Sequence, residues 1–460
     1  MNEKLAAALG HVDPAYVTRA AKRKSRRSVW ITAAAAVLIL VFLLNIPSIP
    51  LVVAAQAVSL APDARKTERP EYGTPEFEAW IKENSLRDHN AKDILPALMA
   101  FSGSGSALLL NSRENALWSP VNAYIGLAMT AELVTGQTKA EVMGVLGARD
   151  NGQLRSGISA LWESVYRDNG KEVSVLANSL WLDNATDYNQ DVMDAISHHY
   201  YASVYRGDLG SEKTNRAIGT WLSNETGGFL KNRTDKVALS RNALLALVST
   251  VYFQAQWSDE FSRDRTDTGV FYSPSGDLQV TYLNAKRRQM YYYWGEDYAA
   301  VALPLKNGSS MWLILPDSDK TLGDVLESGE YIAHFTDPGG ENSKYMKVNL
   351  SVPKFDVAAG TDLKPALQAM GLERIFDIYC PDFGESIYAD TSVYLESVRQ
   401  DSRVAIDEEG VIAASYIILD FGAGSAMPPE EEIDLVLDRP FLFAITHSGI
   451  PLFMGAVNEP

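Results

Sequence analysis

The residues from Val29 to Val53 carry no charge, and a basic cluster lies directly before them. The cluster consists of Lys22, Arg23, Lys24, Arg26 and Arg27. The uncharged run exceeds the roughly 20 residues that an α-helix needs to cross a bilayer. Because basic residues favour the cytoplasmic side, residues 1–28 are expected to be a cytoplasmic segment. The sequence therefore predicts a transmembrane anchor over residues 29–53, with the remainder of the chain exported.

A cleaved secretory signal is the alternative reading of the same segment. The tripeptide Ala55-Gln56-Ala57 offers a cleavage site of the A-x-A type. However, the basic cluster begins late and the apolar run is longer than a signal-peptide core. We therefore predict a single-pass protein of the cell membrane with its folded domain outside, whereas cleavage near Ala57 would give a secreted protein.

Composition describes an ordinary folded chain. Hydrophobic residues make up 46% and charged residues 22%, which is typical of a globular protein and not of a disordered one. The net charge of −17 argues against a nucleic-acid partner, because binding to phosphates needs a basic surface. The only cysteine is Cys380, so the chain contains no internal disulfide.

The pattern along the chain predicts an α+β fold after a spacer. Residues 54–93 mix prolines with charges and are interpreted as the spacer, with one short helix near residues 77–84. The folded domain is predicted over residues 94–460. Residues 122–134, 191–202 and 214–226 have helical periodicity, and residues 243–257 begin helix-like and pass into a buried strand. Apolar runs bounded by turns, predicted to be strands, follow over 299–305, 310–317, 347–357, 402–409, 433–447 and 450–457.

Motifs for catalysis or metal binding are missing from the sequence. The six histidines include no pair at i, i+4 spacing and no H-E-x-x-H, and cysteine ligands are not available. The string SGSGS at residues 102–106 differs from the G-x-S-x-G nucleophile motif and lies where a helix is expected. There is no P-loop or dinucleotide fingerprint. We predict a protein that is not an enzyme and has no metal or cofactor.

Several segments resemble the serpin family in the family's own order. The run LVLDRPFLFAI at Leu435–Ile445 resembles the serpin signature segment. Further resemblances, over about residues 94–460, are NALWSPVNAYIGLAMTAELV, LANSLWLD, YFQAQW, LSVPKFDVAAGTDLKPALQAMGLERIFD, IDEEG and FMGAVNEP. The resemblance implies a serpin fold with three β-sheets, eight or nine helices and an exposed reactive-centre loop near the C-terminus.

The resemblance also implies suicide inhibition of a protease. In that mechanism the protease cuts the loop and forms an acyl-enzyme, and the cut loop then inserts as a strand into the central sheet. Insertion would begin just after Gly410. The hinge of the loop would consist of Glu408, Glu409, Gly410, Val411, Ile412, Ala413, Ala414 and Ser415. The first inserted position is usually threonine or serine in inhibitory members, and it is Val411 in this chain.

An inserted strand sends alternate side chains into the core. The inward set would be Val411, Ala413, Ser415, Ile417, Leu419 and Phe421, all of them apolar or small. The outward set would be Ile412, Ala414, Tyr416, Ile418, Asp420 and Gly422, which includes the only charge of the segment. No proline occurs before Pro428, so each residue that inserts retains its backbone N–H. An ordinary hairpin with one apolar strand would show the same alternation.

The family's usual spacing places the scissile bond at Gly424-Ser425, with Met427 as a second choice for the cut. Small residues before the cut favour subtilisin-like or elastase-like serine proteases, and some papain-like cysteine proteases also accept them. They disfavour trypsin-like enzymes, which need arginine or lysine at that position.

Two control regions of the family match with changes. We call the first the breach: Trp257 aligns with the tryptophan beneath the loop's entry point, and Glu408 with the acid at the loop's base. We call the second the shutter, where Ser119 is retained. Its other members are changed, with Asn122 for a serine, Ser249 for an asparagine and Gln400 for a histidine. Serine and asparagine have thus traded places, which would preserve a donor–acceptor pair.

The resulting prediction is a monomeric inhibitor that forms a covalent complex with a serine endopeptidase. The alternative is a non-inhibitory serpin-fold binding or carrier protein at the cell surface. A membrane-bound hydrolase, the third hypothesis, is supported by no motif.

Overall fold

The computed structural model of the chain describes residues 51–53, 73–168, 173–228, 238–337, 339–379, 382–390, 392–411 and 431–460. The chain divides into Met1–Ser48, which lies outside the described residues, and Ile49–Pro460. Only the last three residues of the predicted anchor, Leu51–Val53, are described, and they form a short strand paired in a sheet of the folded domain, so a membrane-spanning helix does not extend over them. The anchor over the residues before Leu51 remains a prediction. Within the described ranges, no helix is both long and apolar enough to span a membrane.

Helices are concentrated in the first half of the described chain. They are α1 (Pro75–Asn90), α2 (Leu95–Leu109), α3 (Pro120–Leu133), α4 (Gly136–Leu146), α5 (Asn151–Val165), α6 (Gln190–His199), α7 (Glu212–Glu225), α8 (Leu322–Ser328) and α9 (Lys364–Ala369). Short 3₁₀ helices lie at Ala91–Asp93, Arg263–Arg265, Glu330–Phe335 and Arg374–Phe376.

Strands lie along the whole described chain and dominate its second half. They are β1 (Leu51–Val53), β2 (Ala116–Trp118), β3 (Arg167–Asp168), β4 (Val173–Asp183), β5 (Asp187–Tyr188), β6 (Ala202–Gly207), β7 (Leu245–Gln256), β8 (Asp267–Ser273), β9 (Gly276–Trp294), β10 (Tyr298–Pro304), β11 (Ser309–Pro316), β12 (Ser343–Pro353), β13 (Asp356–Asp362), β14 (Ile387–Tyr388), β15 (Arg399–Ala405), β16 (Gly410–Val411), β17 (Glu432–Val436), β18 (Phe441–His447) and β19 (Ile450–Val457). The predicted α+β class is confirmed.

The strands form two large sheets. One has the order β1-β6-β4-β7-β16, with β3 on β4, and the other has the order β17-β12-β9-β10-β11-β18-β19-β2, with β8 on β9. Two strand pairs, β13-β15 and β14-β5, stand apart from them. The described strands are therefore not divided into the three sheets that the family resemblance implied. One reason is that β9 continues through 19 residues and joins neighbouring strand groups into one ladder; another is that β15 forms no ladder with β7.

Helix α3 is the buried centre of the domain. Ser119 caps its first turn, with its side chain accepting a hydrogen bond from the Asn122 N–H, and Pro120 occupies the first helical position. Both features favour helix initiation at this point, because proline fixes the backbone angle that the first turn needs. All residues of the helix except Gly126 are buried. The Ser-Pro pair therefore anchors the helix beneath the sheets.

Strand β7 corrects one sequence expectation. The segment from residue 243 was predicted to begin helix-like, yet Leu245–Gln256 is one continuous strand. It pairs antiparallel with β4 from Leu245 to Gln254. The ladder outweighs the helix propensity of the alanines and leucines at its start, as tertiary context often does.

Ordered structure also begins earlier than residue 94. Helix α1 has 16 residues, occupies part of the predicted spacer and packs against α5, with Phe77 buried. Strand β1 pairs antiparallel with β6 at the edge of the sheet, with Leu51 opposite Tyr205. The spacer boundary at residue 93 therefore does not coincide with the start of regular structure.

Candidate functional site

Gly410 and Val411 lie at the mouth of a gap between two strands. They form β16, antiparallel to the end of β7, with Gly410 opposite Gln256 and Val411 opposite Ala255. Val411 also bridges to Ile406, which follows β15. The side chain of Val411 is 1% exposed. The residue that was predicted to insert first is therefore already buried between β7 and the end of β15.

Glycine is required at position 410 by close approach of the neighbouring backbone. A Cβ atom at this position would lie 2.4 Å from the carbonyl oxygen of Ala255 and 2.7 Å from the Cα of Gln256. Real Cβ atoms do not approach backbone atoms this closely, so any side chain would push β16 away from β7. The glycine thus permits the pairing.

A tight turn before the glycine sets the direction of the chain. The Oδ1 atom of Asp407 accepts hydrogen bonds from the N–H groups of Glu409 (2.8 Å) and Gly410 (3.0 Å). The Asp407 N–H in turn donates to the Gly410 carbonyl at 3.0 Å. Sequence reasoning did not single out Asp407, although an Asp placed two and three residues before such N–H groups is a known turn signal.

Glu408 fixes the base of the loop through an ion pair. Its carboxylate lies 2.6 Å from the Nζ of Lys354 and accepts a hydrogen bond from the Thr266 hydroxyl at 3.2 Å. Burial acts to raise the pKa of the Glu408 carboxyl. The hydrogen bonds from Lys354, from its own backbone N–H and from Thr266, together with attraction to Lys354, outweigh burial and lower that pKa below its ordinary value. The acid is therefore held ionised.

Trp257 ties the same turn to the end of β7. Its indole is fully buried and donates from Nε1 to the carbonyl of Asp407 at 2.8 Å. Its backbone N–H donates to the Glu409 carbonyl, and the Phe261 N–H donates to the Glu408 carbonyl, both at 3.0 Å. The structure thus brings Trp257 and Glu408, the two predicted breach residues, to one place. Glu409 lies beside them and pairs with Arg263 at 2.6 Å.

A narrow cavity lies between β7 and β15. Val251, Tyr252 and Phe253 line it from β7, and Asp401 to Val404 line it from β15. Its remaining walls are Thr226, Val411, Ile445 and Phe453. The volume of about 10 Å³ leaves room for about one water molecule, so the two strands lie close together here. In the described strands, the sheet order gives β7 the partners β4 and β16, and β15 the partner β13.

Two hydrogen-bonded groups lie further along the gap and comprise the shutter residues. The Ser119 N–H donates to Oε1 of Gln400 at 2.6 Å, and Nε2 of Gln400 donates back to the Ser119 carbonyl at 3.1 Å. The Ser119 hydroxyl donates to the Leu452 carbonyl at 2.5 Å. Gln400 lies on β15, so this group connects that strand to the start of α3.

Ser249 and Asn122 form the second group on the β7 side. The Ser249 hydroxyl contacts Oδ1 of Asn122, and Nδ2 of Asn122 donates to the Ser249 carbonyl at 3.1 Å. The hydroxyl also lies 2.6 Å from Oδ1 of Asn178, whose Nδ2 donates to the Tyr200 carbonyl. The exchanged serine and asparagine are therefore in reciprocal contact. Sequence reasoning missed Asn178. The signal for it was a polar amide within the otherwise apolar strand LANSLWLD, because a buried amide needs hydrogen-bond partners.

The remaining predicted loop residues lie outside the described part of the chain. They are Ile412, Ala413, Ala414, Ser415, Gly424 and Ser425. Their roles in the hinge and at the scissile bond stay predictions. Within the described ranges, no cluster of three or more histidine, cysteine, aspartate or glutamate side chains is arranged to hold a metal ion.

Comparison with known proteins gives the family. The family model described as "Serpin (serine protease inhibitor)" matches residues 100–460. Serpin-ZX of Arabidopsis thaliana is 23% identical over 76% of this chain and 93% of its own length. An uncharacterized serpin-like protein of Thermococcus kodakarensis is 26% identical over 82% of this chain and 88% of its own length.

Solved structures share the fold. The native state of tengpin, a thermophilic serpin, has a TM-score of 0.70 and 24% identity over 80% of this chain and 94% of its own. The native stressed conformation of Arabidopsis AtSerpin1 has a TM-score of 0.69 and 22% identity over 80% of this chain and 98% of its own. The family generally consists of protease inhibitors and not of enzymes. On the match of its family model and on this fold, the chain belongs to the serpin family.

Proposed function

We propose that this chain is a suicide-substrate inhibitor of a serine endopeptidase, which acts by inserting its cut reactive loop between β7 and β15. One observation carries the proposal. Gly410 and Val411 are paired with β7 at the mouth of a gap that β7 and β15 leave without a ladder. A cut loop would find both strand edges and an entry point already in place, which is the arrangement that strand addition needs.

The register of β16 supports insertion over the full length of β7. Continuing it antiparallel places Ala413 opposite Phe253, and Phe421 opposite Leu245, the first residue of the strand. Opposed residues in an antiparallel pair point to the same face. Because Phe253 and Ala255 are buried, the inward set of the loop would face the core. The loop thus has the length and the alternation that the gap requires.

Burial of the loop supplies the driving force in this proposal. Val411, Ile417, Leu419 and Phe421 at about 1.5–3 kcal/mol each give on the order of 6–12 kcal/mol. Val411 is already buried, so the other three side chains leave a gain on cleavage of about 4.5–9 kcal/mol. A gain of this size is comparable to the net stability of a whole domain, ~5–15 kcal/mol.

We propose subtilisin-like or elastase-like serine proteases as the target class, with papain-like cysteine proteases as further candidates. Support comes from the small residues Ala423 and Gly424 before the proposed cut at Gly424-Ser425. A shallow pocket accepts such residues. Trypsin-like enzymes need a basic residue that this position does not offer.

Incubation of the full-length chain with subtilisin tests the function. We expect a covalent complex that survives SDS, and a free cleaved fraction that melts about 10 °C or more above the intact chain. The active-site-blocked protease serves as a control that cannot form the acyl-enzyme. Cleavage with neither a complex nor a higher melting temperature would contradict inhibition and favour the alternative of a non-inhibitory binding protein.

We propose further that the uncharged run before strand β1, residues 29–50, anchors a monomeric inhibitor on the outer side of the cell membrane. The uncharged run and the basic cluster before it support this orientation. Carbonate extraction of membranes should leave the chain in the pellet, and external protease should reach the folded domain. Release of a shortened chain beginning near Val58 would instead identify a cleaved signal.

A further inference from the structure

Two exposed tyrosines lie side by side on the larger of the two main sheets. Tyr291 on β9 stands directly opposite Tyr345 on β12 in the antiparallel ladder. Their rings meet edge to face with centroids 5.4 Å apart, and the two residues are 42% and 48% exposed. Single exposed aromatic residues are common on protein surfaces, but aromatic side chains that lie together favour a contact with another protein, where tyrosine is enriched.

The pair lies at the end of the sheet where the reactive loop rejoins the folded domain. Strand β17 begins at Glu432 and runs parallel to β12, with Glu432 opposite Lys347. The Lys347 N–H donates to the Glu431 carbonyl at 3.0 Å, and Nζ of Lys344 lies 2.6 Å from the Glu431 carboxylate. Tyr345 therefore lies between the two lysines that hold the residue at the C-terminal end of the loop.

The proposed scissile bond is close enough to the pair for one protease to cover both. Six peptide units separate Ser425 from Glu431, and they span at most about 20 Å. Neighbouring strands are about 4.8 Å apart, and Tyr345 lies one strand and Tyr291 two strands from β17. A protease of about 250 residues has a radius of gyration of about 18 Å. Its body would therefore extend over the surface beside the cut, which includes the two tyrosines.

We infer that Tyr291 and Tyr345 form a second contact surface for the target protease, outside the loop that the protease cuts. The inference rests on the proposed inhibitory function and adds a source of selectivity to it. The loop offers small residues before the cut, which a shallow pocket of many proteases accepts, so the loop alone selects weakly. Tyrosines supply a large contact area at a small entropic cost, because each side chain has only two torsions. Their contacts would strengthen the encounter complex and raise the rate of inhibition without changing loop insertion.

A third exposed tyrosine, at the opposite end of the same sheet, provides a matched control. Tyr272 on β8 is 54% exposed, and its N–H donates to the carbonyl of Asp438, which follows β17. Asp438 lies seven residues after Glu431, a separation of about 23 Å along an extended chain. The two ends of the sheet thus present the same kind of side chain at different distances from the cut.

Inhibition kinetics of the full-length chain in detergent micelles test the inference, with subtilisin as the probe. Tyr345→Ala and Tyr291→Ala should each lower the second-order rate constant of inhibition about fivefold, whereas Tyr272→Ala should leave it unchanged. The number of inhibitor molecules consumed per protease should stay the same in all three variants, because the loop and the gap are not altered. Tyr345→Phe should retain most of the rate, because the ring supplies the contact area.

Equal rate constants for the unmodified chain and both alanine variants would overturn the inference and leave protease inhibition intact. A larger elution volume of the free inhibitor on removal of the tyrosines would also overturn it, because the pair would then be a contact between copies of this chain. If subtilisin cuts the loop and forms no covalent complex, the proposed function fails and the rate of loop cleavage becomes the measurement. A cut about fivefold slower in the two alanine variants would then support the contact surface, and an equal rate would overturn it.

Discussion

Strands β18 and β7 are both central strands, but in the described residues only β18 has a partner strand along both of its edges. Strand β18 pairs with β11 on one side and β19 on the other, and all seven of its residues are buried. Strand β7 pairs with β4 along its length, but on its other side the described residues supply only Gly410 and Val411. The difference teaches that, among the described residues, β7 has an almost unpaired edge in the interior of the fold, whereas β18 has partners on both sides.

The largest effect is expected from a charge placed on the inserting face of the loop. Ala413→Arg should abolish trapping and raise the ratio of inhibitor consumed to protease inhibited at least about tenfold, because insertion would bury an unpaired guanidinium at a cost of several kcal/mol. The measurement is a titration of residual subtilisin activity. Ala414→Arg is the matched control on the outward face and should inhibit almost normally. Equal behaviour of the two variants would break the proposed register.

A smaller effect is expected at the mouth of the gap. Gly410→Ala should lower the free energy of unfolding by about 1–3 kcal/mol, because its Cβ would meet the backbone of Ala255 and Gln256. Gly144→Ala is the control, since Gly144 lies in helix α4 with no atom within 4 Å of an added Cβ. That change should stabilise the chain by about 0.4–1 kcal/mol. Urea denaturation measures both, and a neutral Gly410 variant would mean that β16 contributes nothing.

The shutter gives a third test, in the middle of the gap. Ser249→Ala removes a hydroxyl that contacts the amide oxygens of Asn122 and Asn178, and should cost about 1–2 kcal/mol. It should therefore give more latent or polymerised protein on heating, as followed by native gel electrophoresis. The double exchange Ser249→Asn with Asn122→Ser should recover part of the loss. Unchanged polymerisation in the single variant would remove Ser249 from the control of sheet opening.

The smallest effect is expected from pH at the loop base. The pKa of the Glu408 carboxyl is lowered from 4.5 in the folded chain, so its stabilising contribution is present above about pH 4.5. That contribution is lost as the pH falls through the lowered pKa and the pair with Lys354 breaks. Glu408→Gln should flatten this part of the curve of melting temperature against pH. Glu409→Gln, at an ion pair with the exposed Arg263, serves as the control.

The sequence predicted the fold class and most elements because helical and strand periodicities are local signals. It also named both sides of the Ser249–Asn122 contact, although 127 positions separate them, because the family resemblance supplied the pairing. It did not find Lys354 as the partner of Glu408 or Asn178 as the third member of the shutter. These contacts depend on strand register across the sheet, which no single segment specifies.

The start of β7 and the burial of Arg288 both show where prediction from local sequence fails. Local propensity favoured a helix where the ladder with β4 imposes a strand. Arg288 lies in a run of three basic residues that looks like a solvated surface, and only the fold buries it against Phe261 and Asp259. Burial of a charged side chain is decided by its neighbours in space, so its own sequence context did not reveal it.

In the proposed mechanism, the backbone pairs that Gly410 and Val411 make with β7 would be a nucleus of the inserted strand that exists before cleavage. A strand that extends from an existing pair avoids the loop-closure entropy that forming a first contact would cost. The speed of the final rearrangement would then be limited by how quickly Ser249 and Gln400 release their partners ahead of the advancing chain. In the proposed mechanism, weakening the hydrogen bonds of Ser249 and Gln400 would therefore speed insertion more than a more hydrophobic loop would.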